Sequence, residues 1–239
     1  MGIFANPLTD LLEYEDFSRD FLKGTDPVGM TGCIDSEKVH FMSTFLGEKK
    51  VQLVVTYNEQ RAREIEEDYK LFCSQVYVIP PRDLIFFSAD LQGNAIIAER
   101  MKAFAALYQN EAKVIITTMD ALMSAAVPFE QLMSHVIKLK EGDELDLEKL
   151  KHDLTVMGYE RVGRVEEPGQ FTVHGGIADV YPLTMEVPVR IELWGDEIDT
   201  IRCFEPQSQR SMDQIECVSV FPAAEVIADD TARRRAVGM

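Results

Sequence analysis

Apolar residues recur along the first half of the chain in two alternating rhythms. Leu8, Leu11, Leu12, Phe17 and Phe21 return at helical spacing after Asn6-Pro7, a suitable cap and first helical position, and Lys23-Gly24 ends the run. Residues 36–46 read as a second helix, and the β-rich run 51–57 as a strand. Asn58 opens a helix over 59–72 whose mixed charges predict one exposed face, and 75–79 is a strand ended by Pro80-Pro81. A helix over 95–108 presents Ile96, Ile97, Met101, Phe104 and Leu107 on one side; a strand at 114–118 and a short helix at 119–124 follow. Strands alternating with helices predict a parallel α/β layer joined by right-handed crossovers.

The rhythm changes at Pro128. A helix around 147–157 gives way to the alternating runs 170–182 and 187–199, broken by the turns Gly175-Gly176 and Gly195-Asp196. That pattern predicts an antiparallel meander with one buried face and one face left for water or a partner. In 189–194, alternation puts Val189, Ile191 and Leu193 on one side and Arg190, Glu192 and Trp194 on the other. A tryptophan beside a turn and in register with an arginine has the composition of an interface hot spot. The equal alternative is that Trp194 folds over the hairpin edge while Arg190 pairs with Glu192 or Asp199. Three segments are expected: an α/β domain over 1–127, an inserted domain over 128–215, and a return to the first domain over 216–239.

Charge narrows the functions open to the chain. Its 239 residues carry 41 acids against 24 bases, a net charge of −17. The Lys/Arg clusters that track phosphates are missing apart from Arg233-Arg234-Arg235, read as a solvated segment, and the overall field repels DNA. Apolar runs such as 51–55 and 114–116 are too short to cross a bilayer, and residues 1–7 lack the features of a signal peptide; no membrane role is expected. Cys33, Cys73, Cys203 and Cys217 are scattered without a C-x-x-C pair, which fits free thiols in the cytoplasm. His40, His135, His152 and His174 lack metal-ligand spacing, and no nucleophile motif is present, so neither a catalytic group nor a metal or cofactor is expected.

One stretch has the register of a phosphate loop without its chemistry. Aligned from Gly29 to the pattern G-x-x-x-x-G-K-[ST], the first glycine and the final Ser36 are kept. The second glycine slot holds Ile34, whose β-branch resists the loop conformation, and the lysine slot holds Asp35. Opposite unit charges ~4 Å apart attract by about 4 kcal/mol near a protein surface, and lysine-to-aspartate turns that into a comparable repulsion. Asp35 or Ser36 is instead expected to cap the following helix.

The segment from Gly169 to Pro182, the run from Val187 to Asp199 and the pair Gln209-Arg210 together resemble a long, gap-poor pattern. It is shared by UvrB, the helicase-like subunit of bacterial nucleotide excision repair, and by the N-terminal region of transcription-repair coupling factors. The resemblance implies a degenerate P-loop NTPase-like (RecA/UvrB-type) parallel-sheet domain with an inserted α+β domain that contains the meander. UvrB has an intact nucleotide loop and a long aromatic β-hairpin. Here residues 82–90 run almost directly into Asn94, and Phe86 and Phe87 are expected in a core or packed between domains. In both families the inserted domain docks on UvrA, the damage-recognising ATPase. The contact positions are an arginine before the first turn, an arginine after the P-x element and an aromatic four residues on. Arg190 and Trp194 match the second and third; the first is His174, which supplies no permanent bidentate cation. The implied role is a non-catalytic module that brings UvrA to stalled RNA polymerase, the polymerase and DNA being held by other domains of the full-length protein. The alternatives are a UvrB-type, ATP-dependent DNA-binding subunit, and an intramolecular clamp of the same face on the family's motor or C-terminal domain.

Overall fold

The computed structural model describes residues 8, 14–24, 26–47, 51–82, 91–124 and 126–227. They fall into two units, one drawn from Met1–Pro81 with Glu111–Met123 and the other from Arg82–Asn110 with Ser124–Met239. The expected cap at Asn6-Pro7, the Phe86-Phe87 pair and Arg233 to Arg235 lie outside the described residues.

The first unit holds helices α1 (Tyr14–Lys23) and α2 (Asp35–Ser43), strand β1 (Gln52–Thr56), helix α3 (Glu59–Lys70) and strand β2 (Val76–Ile79). Strand β3 (Val114–Thr118) and the short helix α5 (Met119–Met123) complete it. The helix between β2 and β3 in sequence, α4 (Leu91–Tyr108), belongs to the second unit. The three strands are parallel in the order β1-β3-β2, so β3 takes the centre and is buried along its whole length. Val54, Ile116 and Val78 stand in one register row and pack with Ala62, Ile65 and Tyr69 of α3 and Val39 of α2. Asn58 caps α3, its side-chain oxygen accepting from the Arg61 N–H at 2.8 Å, as its sequence position suggested. Tyr14, Phe17 and Phe21 of α1 meet Phe41 and Phe45 ring on ring, the Phe17–Phe41 pair edge-to-face at 4.8 Å.

The second unit is built on a six-stranded sheet ordered β10-β9-β8-β7-β6-β5. The strands are β5 (Glu160–Arg161), β6 (Gln170–His174), β7 (Ile177–Val180), β8 (Val189–Trp194), β9 (Glu197–Phe204) and β10 (Ser211–Gln214). From β6 to β10 consecutive strands pair antiparallel, as alternation and the glycine turns predict; β5 adds to the edge in parallel. The inner rows Phe171–Val180–Val189–Cys203 and Val173–Ala178–Ile191–Ile201 pack on Leu150, Leu154 and Met157 in and just after helix α7 (Leu147–Val156). Asp146 caps that helix, accepting from the N–H groups of Glu148 and Lys149. The chain leaves it through Gly158, whose φ of +91° suits glycine alone and whose missing side chain leaves room for Ala224; a Cβ there would lie 2.6 Å from the Ala224 Cβ.

Strand β11 (Cys217–Val220) pairs antiparallel with β4 (Ile137–Lys140), which follows the short helix α6 (Phe129–Met133). Within 216–239, the segment expected to return to the first domain, Val218 and Val220 lie in one core with the inner face of the six-stranded sheet. Met101 and Ala105 of α4 pack with Leu132, Met133 and Phe221. The Glu225 carboxylate lies between the guanidinium groups of Arg82 and Arg100, a buried ion cluster tying α4 to the final described segment. Among the described residues no helix is long and apolar enough to cross a membrane.

Candidate docking site

Two places in the chain were expected to bear on binding, and the structure treats them differently. At the phosphate-loop register, residues 26–34 form no strand, and of Gly29 and Gly32 only Gly32 uses a positive φ, +84°. Helix α2 begins at Asp35 with Ile34 as its N-cap residue, so neither Asp35 nor Ser36 is the cap. An isoleucine side chain cannot accept a hydrogen bond. The cap comes from Glu37, whose Oε2 accepts from the Ile34 N–H at 3.0 Å. Asp35 sits in the first turn, 3.1 Å from the Lys38 ammonium and 3.3 Å from the Arg61 guanidinium. The hydrogen bond from Lys38 and the charges of Arg61 and Lys38 hold its carboxyl below the usual aspartate range. A helix N-terminus attracts anions, and here the chain's own carboxylates fill that role.

The second place is the outer face of the six-stranded sheet. Register sets two rows across it: Thr172–Asp179–Arg190–Arg202 and, one step toward the hairpin ends, His174–Ile177–Glu192–Thr200. The first row is mostly covered. Arg190 donates from Nε to Asp179 Oδ1 at 2.8 Å and from Nη2 to Oδ2 at 2.7 Å, a bidentate pair. Its guanidinium lies 4.8 Å from the centre of the Phe204 ring. The hydrogen bonds to Asp179 raise the Arg190 pKa further above its ordinary value, so the group is a fixed cation with a fixed partner. Neither Glu192 nor Asp199 is that partner, because direct cross-strand register places Asp179 opposite Arg190.

The second row is open. His174 and Ile177 are exposed on either side of the Gly175-Gly176 turn, and Glu192 beside them accepts from the Thr200 hydroxyl at 3.2 Å. Beyond a register shift between Glu192 and Leu193, Leu193 turns into the core while Trp194 projects at the hairpin end, 84% exposed. Trp194 does not fold over the edge; Gly195 at φ +67° turns the chain directly after it. His174, Glu192 and Trp194 thus share one accessible margin, with the Arg190–Asp179 pair as a rigid neighbour. Sequence reasoning missed Ile177, an exposed apolar residue on this margin, and Asp179. The alternation that put Arg190 on the outer face put Asp179 there too, but only strand register joins them.

Comparison with known proteins bears on this unit first. Residues 137–225 match the family model of the UvrB interaction domain, a protein-interaction module. Over 215 residues the chain is 34% identical to the transcription-repair-coupling factor of Staphylococcus haemolyticus, covering 88% of this chain and 18% of that protein. The protein of the same name from Staphylococcus epidermidis is 31% identical over 232 residues, or 96% of this chain and 20% of the relative. That of Staphylococcus aureus is 31% identical over 241 residues, 98% and 20% respectively. The chain spans about a fifth of the length of the curated relatives it matches. These matches support the resemblance to the N-terminal UvrB-homology module of transcription-repair coupling factors, and with it a place in DNA repair.

Proposed function

From the homology of this chain to transcription-repair coupling factors, and from its UvrB interaction domain, we propose that it is the UvrA-docking module of such a factor. Its work is to bring UvrA to RNA polymerase stalled at damage in the cytoplasm, other parts of the longer protein holding the polymerase and the DNA. Docking is assigned to the segment expected as the second domain, residues 128–215, through the margin formed by His174, Ile177, Glu192 and Trp194. The observation that carries the reading is the 84% exposure of Trp194 at the end of a hairpin whose other apolar residues are packed. A large exposed aromatic beside polar groups is the usual anchor of a protein interface. The first unit is read as a degenerate P-loop NTPase-like layer, and the module as having no catalytic activity. The carboxylates of Asp35 and Glu37 at the start of α2 support that, and disfavour an ATP-dependent subunit of UvrB type.

The test is titration calorimetry of the whole chain with purified UvrA, alongside a Trp194→Ala variant. Wild type is expected to bind and the variant to lose about 2 kcal/mol or more of binding free energy. Equal affinities would remove Trp194 from the site; no binding by wild type would remove the function.

A further inference from the structure

Resting on the docking function above, we propose that the groove between the start of α7 and the end of the β8–β9 hairpin takes a basic segment of the protein partner. The groove measures about 700 Å³, and its lining includes Leu193 and Gly195, the residues on either side of the exposed Trp194. Leu145, Leu147 and Leu193 form its apolar part, each half-buried and packed on the core of the six-stranded sheet. Backbone bonds hold the two walls together. The Leu145 N–H donates to the Asp196 carbonyl at 2.7 Å, and the Gly142 N–H to the Ile198 carbonyl at 2.9 Å. The Ile198 N–H donates back to the Asp143 carbonyl at 2.9 Å. The groove is therefore preformed, and an entering segment need not order a loop first.

The polar rim is acidic: Glu144, Asp146, Glu148 and Asp196 line it against one cation, Lys149. Two of these carboxylates are engaged, Asp146 as the cap of α7 and Glu148 with the Lys151 ammonium. Those of Glu144 and Asp196 are exposed and meet no hydrogen-bond donor or cation among the described residues. An anion does not suit the groove, because Asp146 already occupies the helix N–H groups that would bind it. Nor does a bare metal ion, since among the described residues no three acids, histidines or thiols converge on a metal site. What fits is a cationic head on an apolar stem, the build of lysine and arginine. The stem lies along the leucines and the head reaches Glu144 and Asp196. The volume suits a short segment rather than one side chain. The net charge of −17 acts in the same direction, drawing a basic surface toward the chain. Trp194 then anchors the outer side of the hairpin end while the groove holds the segment on the inner side.

The experiment measures UvrA affinity by calorimetry at low and raised salt, with melting temperatures, for wild type and three variants. These are the groove pair Glu144→Gln with Asp196→Asn, the single change Lys149→Gln, and an exposed control of equal charge change, Glu130→Gln with Glu160→Gln. If the inference holds, the groove pair binds about threefold more weakly or worse at low salt, with an unchanged melting temperature, because two exposed ion pairs are lost. The gap closes as salt rises. Lys149→Gln binds at least as tightly as wild type, and the control matches wild type. Undiminished affinity of the groove pair would overturn the groove while leaving UvrA docking standing. Equal weakening in the control would reduce the effect to net charge, and a lower melting temperature of the groove pair would make its carboxylates structural; either overturns the inference. Weaker binding by Lys149→Gln would mean an acidic occupant. Loss of UvrA binding in calcium, but not in sodium chloride of equal ionic strength, would make the occupant a metal ion. Failure of wild type to bind UvrA would overturn the docking function and this inference together.

Discussion

The N-terminal turn of α2 and the outer face of the six-stranded sheet are both places where a protein commonly binds something, yet they end in opposite states. At α2 the attractions shown are answered from within the chain: Glu37 takes the Ile34 N–H, and Asp35 lies against Lys38 and Arg61. On the sheet, the first row holds one satisfied ion pair, and the margin beyond it leaves Ile177 and Trp194 to solvent. A site is better recognised by groups the fold leaves unanswered than by a motif's register. The phosphate-loop register survives at Gly29 and Ser36 where the chemistry is closed, while no phosphate-binding motif marks the exposed Ile177.

The largest effect that could break this comparison concerns the pair Asp179–Arg190. Replacing Asp179 with alanine leaves a mostly buried guanidinium without its counter-ion, and urea denaturation should show a loss of about 3 kcal/mol. Arg190→Ala should cost less than the sum of its parts when combined with Asp179→Ala, the coupling that a double-mutant cycle reads out. Additive losses would mean the pair is incidental.

Trp194→Ala should separate stability from binding. With its side chain 84% exposed, the substitution should change unfolding free energy by no more than about 0.5 kcal/mol, while weakening UvrA binding as described above. A large drop in stability would mean the tryptophan is packed in solution.

At the other site, the double variant Ile34→Gly, Asp35→Lys restores two residues of the phosphate-loop pattern. Fluorescent ATP should still not bind at millimolar concentration, because Glu37 continues to cap the helix and no strand leads into the loop. Saturable binding would show that those two residues alone closed the site.

The smallest expected effect is one of pH. Asp35 has a folded pKa lowered by Lys38 and Arg61, so its ionised form is favoured in the native state. Its contribution is therefore fully present above the ordinary aspartate pKa and is lost as pH falls through the lowered folded value. The stability difference between wild type and Asp35→Asn should be constant near neutrality and shrink only in that acid window. A difference that grows on acidification would have the wrong sign.

How far these contrasts could be read from the sequence follows the range of the interactions. Helix α3 with its Asn58 cap, strands β1, β2, β3 and β6 to β9, and the hairpins at Gly175 and Gly195 are local patterns, visible in periodicity and turn residues. Alternation also placed Arg190, Glu192 and Trp194 on one face. Pairings set by register were not visible: Asp179 lies 11 positions before Arg190, and β11 finds β4 across the whole inserted fold. The cap of α2 was misassigned because a side chain reaching back from Glu37 did what Asp35 or Ser36 was expected to do. The membership of α4 was hidden for a similar reason. Its spacing shows an apolar side but not that the side faces Leu132, Met133 and Phe221.

The most direct test of the contrast is hydrogen–deuterium exchange of the whole chain with and without UvrA. Protection on binding is expected over 174–177 and 190–202, with residues 29–43 unchanged. Protection confined to residues 29–43, with the sheet margin exchanging as in the free chain, would contradict the assignment of docking to this face.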